Sequence, residues 1–144
     1  MSEQPRVTIR IARRFAASAE RVFDAWFDAD RMRHWLFSTP TGEMVRAEVD
    51  ARVGGGFVFT DRRDGVDVDH VGQYLEIDRP RRLVFTFTVP LFSTEASEVS
   101  VVITPVGEGC ELVLTHHGVL PEYRERTEGG WTAILGGLAA SLGE

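Results

Sequence analysis

Apolar side chains along this chain recur at two different periods. Near the start, Val7, Ile9 and Ile11 alternate with Thr8, Arg10 and Ala12, the period of a half-buried strand. Ser18 then stands at an N-cap position, where its hydroxyl can accept from the free amides of the next turn. "AERVFDAWFDAD" places Val22, Phe23, Trp26 and Phe27 at helical spacing. A second short helix, "RMRHWLF", buries Met32, Trp35 and Leu36, with Asp30 as its expected cap.

From residue 43 the period falls to two. Val45, Ala47 and Val49 alternate with Arg46, Glu48 and Asp50, and Phe57 and Phe59 alternate with Val58 and Thr60. Asp64-Gly65 signals a hairpin turn. Val71, Gln73, Leu75 and Ile77 are expected to share one face of the next strand, which "DRPRR" turns. Strand faces follow at Leu83, Phe85 and Phe87, then at Val99, Val101 and Ile103, then at Leu112, Leu114 and His116, with "PVGEGCE" between the last two. Pro121 opens a final helix.

The predicted order is strand, two helices, six strands and a long helix. Short links imply an antiparallel meander, and a sheet with one apolar face must lay that face on something. The last helix is the available partner. This predicts an α+β fold, β-α-α-β6-α, with a curved antiparallel sheet around a long C-terminal helix.

The run Gly54-Gly55-Gly56 is read against that order. A phosphate-binding loop needs a helix after its glycines, so that free amides point at the anion. Here "GGGFVFT" continues into another strand, and the chain has no lysine to close such a motif. The glycines instead predict a sharp bend, or a close approach of another backbone.

A length of 144 residues suits one domain, taken as 1–144 with a core of about 6–142. The net charge is −6, and all 16 basic residues are arginines scattered among carboxylates, which disfavours nucleic acid as a partner. The single cysteine, Cys110, excludes an internal disulfide and suits a reducing compartment. "MSEQPRVTIRIARRF" lacks the apolar core of a signal peptide, and no stretch is apolar enough for membrane insertion. A cytoplasmic protein of bacterial type is expected.

No metal or other cofactor is expected. His116 and His117 are neighbours on a strand and point to opposite faces, while His34 and His70 stand apart from them. The run Asp61, Asp64, Asp67 and Asp69 lacks the spacing of a calcium loop. Glu108 and Glu111 flank Cys110 and would raise its thiol pKa rather than activate it. No catalytic residue is assigned.

"FAASAERVFDAWFDADRMRHWL", "GGGFVF", "HVGQYLEIDRPRRLVFTF", "SEVSVVITPVGEGCELVLTHHGV" and "GGWTAILGGLAASL" together resemble one family. It is the activator of Hsp90 ATPase homologue-like branch of the START-like (SRPBCC) superfamily, and the resemblance covers about residues 6 to 142. It implies a helix-grip fold with a cavity between sheet and last helix. Strand parity and the helical tryptophans suggest a lining of Trp26, Trp35, Phe57, Phe59, Gln73, Phe85, Phe87, His116 and Trp131, with His70 as a further polar candidate.

Three functions follow as expectations. The first is non-enzymatic binding of a hydrophobic or amphipathic small molecule. The second, implied by the family name, is a co-chaperone-like module with a chaperone or other protein partner and a role in stress response. The third is a polyketide cyclase-like enzyme, for which His116 or Glu98 would have to act as acid or base.

The last helix carries one more expectation. Trp131, Ile134, Leu135, Leu138 and Leu142 share a face, and Gly129, Ala133, Gly136 and Ala140 form a stripe of small residues opposite them. Helix-interior glycine costs roughly 1 kcal/mol relative to alanine. Close approach of a second subunit, a homodimer, would give that stripe a purpose.

Overall fold

The computed structural model describes residues 6–36, 42–91 and 96–144. β1 (Val7–Phe15) leads into α1 (Ala19–Ala25) and α2 (Ala29–Trp35). β2 (Glu43–Val49), β3 (Gly56–Arg63), β4 (Val66–Asp78), β5 (Arg82–Phe87), β6 (Ser97–Val106) and β7 (Gly109–Val119) follow. A single 3-10 turn, Pro121–Tyr123, then opens α3 (Arg124–Ser141). The seven strands form one antiparallel sheet in the order β1-β7-β6-β5-β4-β3-β2, so that β1 and β2 are its edges. The sheet is curved, and the core fills its concave side beneath α1, α2 and α3.

Local chemistry sets the element ends. Ser18 caps α1 through its hydroxyl, 3.3 Å from the amide of Arg21. The cap of α2 is Asp28, at 3.3 Å from the amide of Arg31, and not Asp30, which lies inside the first turn. A carboxylate helps at either place, but only the residue before the first helical one has the extended backbone that aims its side chain at the free amides. Between β3 and β4, Asp64 and Gly65 hold φ of 50° and 78°, the left-handed pair that a two-residue hairpin turn requires.

The glycine run is a device for close approach. A Cβ on Gly56 would collide with the carbonyl oxygen of Gly72, so only hydrogen fits where β3 crosses β4. The same run fixes the backbone of Tyr74: the amide of Gly54 donates to the Tyr74 carbonyl at 3.0 Å, and the Tyr74 amide donates to the Gly55 carbonyl at 2.9 Å.

Two strand faces differ from the expected parity. On β4 the buried positions are Val68, His70 and Tyr74, with Gln73 and Leu75 exposed, so the face expected from Val71, Gln73 and Leu75 is the outer one. Both parities of this strand carry apolar residues, so alternation alone does not choose between them. A register shift between Tyr74 and Glu76 then returns Ile77 to the core. On β2 a shift between Met44 and Arg46 turns Val45 outward and sets Met44 against the core with Ala47 and Val49.

α3 buries Trp131, Leu135, Leu138 and Ala139, with Ile134 and Leu142 packed beside them. Gly129, Ala133 and Ala140 are exposed and Gly136 half-buried, and a Cβ on Gly129 or Gly136 would meet open space. Gly137 faces inward instead, where a Cβ would lie 3.2 Å from the Cβ of Trp35. This glycine sets the distance between α3 and α2.

Candidate functional site

The concave face gathers an aromatic cluster with two differently constituted ends. At one end Phe87 is the hub. Its ring lies parallel to His70 at 6.2 Å between centroids, tilted against His116 at 5.6 Å, and edge-on to Trp131 at 6.0 Å. β4, β5, β7 and α3 thus each contribute one ring.

The polar atoms at this end form a directed chain. Trp131 Nε1 donates to His116 Nδ1 at 3.0 Å. An indole N–H only donates, so Nδ1 must accept and the proton of the neutral imidazole sits on Nε2. Nε2 therefore donates to Ser97 Oγ, 2.6 Å away, and the Ser97 hydroxyl donates to the Phe87 carbonyl at 3.1 Å. Burial, reinforced by His117, lowers the His116 pKa to about 4. His70 is lowered to about 4 as well, chiefly by burial, although its Nδ1 donates to the Phe59 carbonyl at 3.2 Å. Both imidazoles are neutral at pH 7.

At the other end Trp26 meets Trp35 edge-on at 5.1 Å and Phe85 at 6.4 Å. Phe57 contacts Phe59 at 5.9 Å, Phe85 at 5.4 Å and Tyr74 at 5.9 Å, and the far side of Tyr74 meets Phe27 at 5.3 Å. Here the polar atoms are not satisfied. Trp26, Trp35 and Tyr74 are 2%, 3% and 2% exposed. Among the described residues, Trp26 Nε1, Trp35 Nε1 and Tyr74 Oη have no hydrogen-bond partner. Burial, with a smaller contribution from the Asp50 charge, raises the Tyr74 pKa far above the usual phenol range, so the hydroxyl keeps its proton.

Two open grooves reach this second end. One, of about 480 Å³, is lined by Asp24, Phe27, Asp28, Ala29 and Asp30. The other, of about 280 Å³, is lined by Glu48, Val49, Asp50, Gly56, Phe57 and Val58. Phe27 and Phe57 each form part of a groove wall, and each also makes a tilted ring contact with Tyr74. Asp24 is held well below the usual carboxylate range by its two hydrogen bonds from Arg79, at 2.8 and 2.9 Å.

Nine of the ten residues expected to line a pocket thus meet in one cluster. Gln73 does not: it is exposed, and its amide Nε2 lies 3.4 Å from the Gly54 carbonyl. Tyr74 takes the inward place assigned to Gln73, and Phe27 joins it. The signal that would have found Tyr74 is the series His70, Gly72, Tyr74 on one parity, in which the glycine leaves room for the Phe57 ring. Of the acid and base candidates, His116 has both ring nitrogens engaged and Glu98 is exposed. His116 is buried and His117 exposed, as strand alternation requires.

Residues 16–143 match the family described as Activator of Hsp90 ATPase homolog 1-like protein. The chain belongs to that family. Its fold recurs in solved structures of similar proteins. Mll3558 from Rhizobium loti is 28% identical, with a TM-score of 0.81 over 97% of this chain and 99% of that one. CV1439 from Chromobacterium violaceum is 26% identical, with a TM-score of 0.81 over 92% and 94%. A protein from Rhizobium leguminosarum is 21% identical and superposes with a TM-score of 0.85 over 97% and 96%. No curated protein matches the sequence significantly. Among the described residues, no helix is long and apolar enough to cross a membrane.

Proposed function

We propose that this protein binds a hydrophobic or amphipathic small molecule, without chemistry on it, between the curved sheet and the helices. The observation that carries this reading is the position of Tyr74. It lies between Phe27 and Phe57, one ring inward from each of two open grooves. A rotamer change of either phenylalanine would join a groove to the aromatic interior. Apolar burial would supply affinity there, and a few polar groups orientation, as in small-molecule sites generally.

The same geometry argues against His116 as the acid or base of an enzyme. A general acid or base needs a nitrogen or oxygen free to exchange a proton with substrate. His116 is locked between Trp131 and Ser97 in its neutral form.

A thermal-shift panel of apolar metabolites tests the reading. Bound compounds should raise Tm by mass action, and the rise should shrink in a folded Phe57→Ala or Phe85→Ala variant, both at the groove end of the cluster. A panel that shifts nothing would refute it.

The family description supports a second reading, docking on a chaperone. Val53 and Leu75, 61% and 44% exposed, lie on segments joined by the Gly54–Tyr74 hydrogen bonds and offer an apolar surface for it. Retention of a chaperone in a pull-down, lost in a Val53→Asp/Leu75→Asp variant, would favour this over the pocket.

A further inference from the structure

We propose that Trp26, Trp35 and Tyr74 are the polar anchor of the ligand site, donating hydrogen bonds to a carbonyl-type oxygen of a neutral and otherwise apolar molecule. This deepens the small-molecule reading and rests on it.

Three buried donors at one end of the core, none with a partner among the described residues, set the chemistry. Buried polar groups in folded proteins are nearly always paired, and an exception calls for a specific explanation. Indole N–H groups donate and never accept. The Tyr74 hydroxyl, whose pKa is pushed upward by burial and by Asp50, stays protonated and donates too. The missing partner is therefore an acceptor.

The third tryptophan is an internal control. Trp131 is equally buried, yet its N–H is bonded to His116, so an unpaired indole is not a general consequence of this fold. The rings that carry the three groups are linked. Trp26 and Trp35 touch, and Trp26 and Tyr74 both contact Phe85, Tyr74 at 6.5 Å.

Charge selects a neutral acceptor over an anionic one. Every ionisable side chain in the two groove linings is a carboxylate: Asp24, Asp28 and Asp30 in one, Glu48 and Asp50 in the other. Four of these five carboxylates are held by arginines, Asp24 by Arg79, Asp28 by Arg31, Glu48 by Arg46 and Asp50 by Arg52, so desolvation decides: a carboxylate ligand would lose its hydration in a buried site where the charge that acts on Tyr74 is that of Asp50. A ketone, ester or amide carries the same acceptor oxygen without that cost. A cation would meet the positive ends of the N–H dipoles.

The test uses acetophenone and ethylbenzene, near-isosteres that differ in the carbonyl, followed by the three indole N–H signals in a proton–nitrogen NMR spectrum. Acetophenone should move the Trp26 and Trp35 signals downfield and saturably, and leave Trp131 nearly unmoved. Ethylbenzene should bind without the downfield shift. Tyr74→Phe should weaken acetophenone about tenfold, leave ethylbenzene within about twofold, and not lower Tm, because its hydroxyl has no partner to lose among the described residues.

If both compounds bind equally to the wild type and to Tyr74→Phe, with no downfield indole shift, the anchor is wrong and the binding reading survives. If neither produces a saturable change at any resonance, both fall. Tighter binding of benzoate or benzyltrimethylammonium than of acetophenone would overturn the neutral-acceptor class.

Discussion

The indole N–H of Trp131, on α3, donates to Nδ1 of His116, on β7, at 3.0 Å, and that one bond fixes the protonation of the whole polar chain behind it. It also ties the last helix to the sheet at the Phe87 end of the aromatic cluster. In Trp131→Phe the imidazole keeps its burial but loses its donor. Stability should fall by about 1–3 kcal/mol in denaturant titrations. The His116 pKa should rise from about 4, because the bond that favours the neutral ring is gone. Nitrogen NMR of the wild type should show the Nε2–H tautomer at pH 7.

Acid should destabilise the fold through the same groups. The native state holds His70 and His116 neutral down to about 4, whereas the unfolded chain protonates them near 6.5. Between those values the unfolded state binds more protons, so stability falls as pH falls, by about 1.4 kcal/mol per pH unit for each fully uptaking histidine. Above 6.5 neither group contributes a slope. Urea midpoints between pH 7.5 and 4.5 check this, and His116→Phe should remove about half of the dependence.

How much of this was legible in the sequence depends on the kind of signal. Element order came from period and turn chemistry, which are local: Ser18, Asp64-Gly65 and the alternation of Phe57 and Phe59 each act over a few residues. Strand parity failed where it is not local. The choice between Gln73 and Tyr74 is made by which face of β4 meets the core and by shifts of register in neighbouring strands, neither of which alternation encodes when both faces are apolar. The unpaired donors were equally hidden. Tryptophan at a helical position signals burial, but not whether its N–H finds a partner as Trp131 does or lacks one as Trp26 and Trp35 do.

Gly136 and Gly137, adjacent on α3, should respond differently to added side chains. Gly136→Ala places a methyl group in open space and gains helix propensity, so stability should rise by up to about 1 kcal/mol. Gly137→Ala gains the same propensity but presses on buried Trp35, and should be less stable than Gly136→Ala. Paired thermal melts decide it. If Gly136→Ala is the less stable of the two, the assigned helix face is wrong.

Native mass spectrometry of gently purified protein bears most directly on the binding site. A mass excess of small-molecule size that denaturation releases is expected, carried by a compound that is apolar, neutral and contains a carbonyl-type oxygen. Tyr74→Phe should retain less of it than the wild type. Protein that carries no such excess, and that still carries none after incubation with a broad set of apolar metabolites, would contradict the central claim.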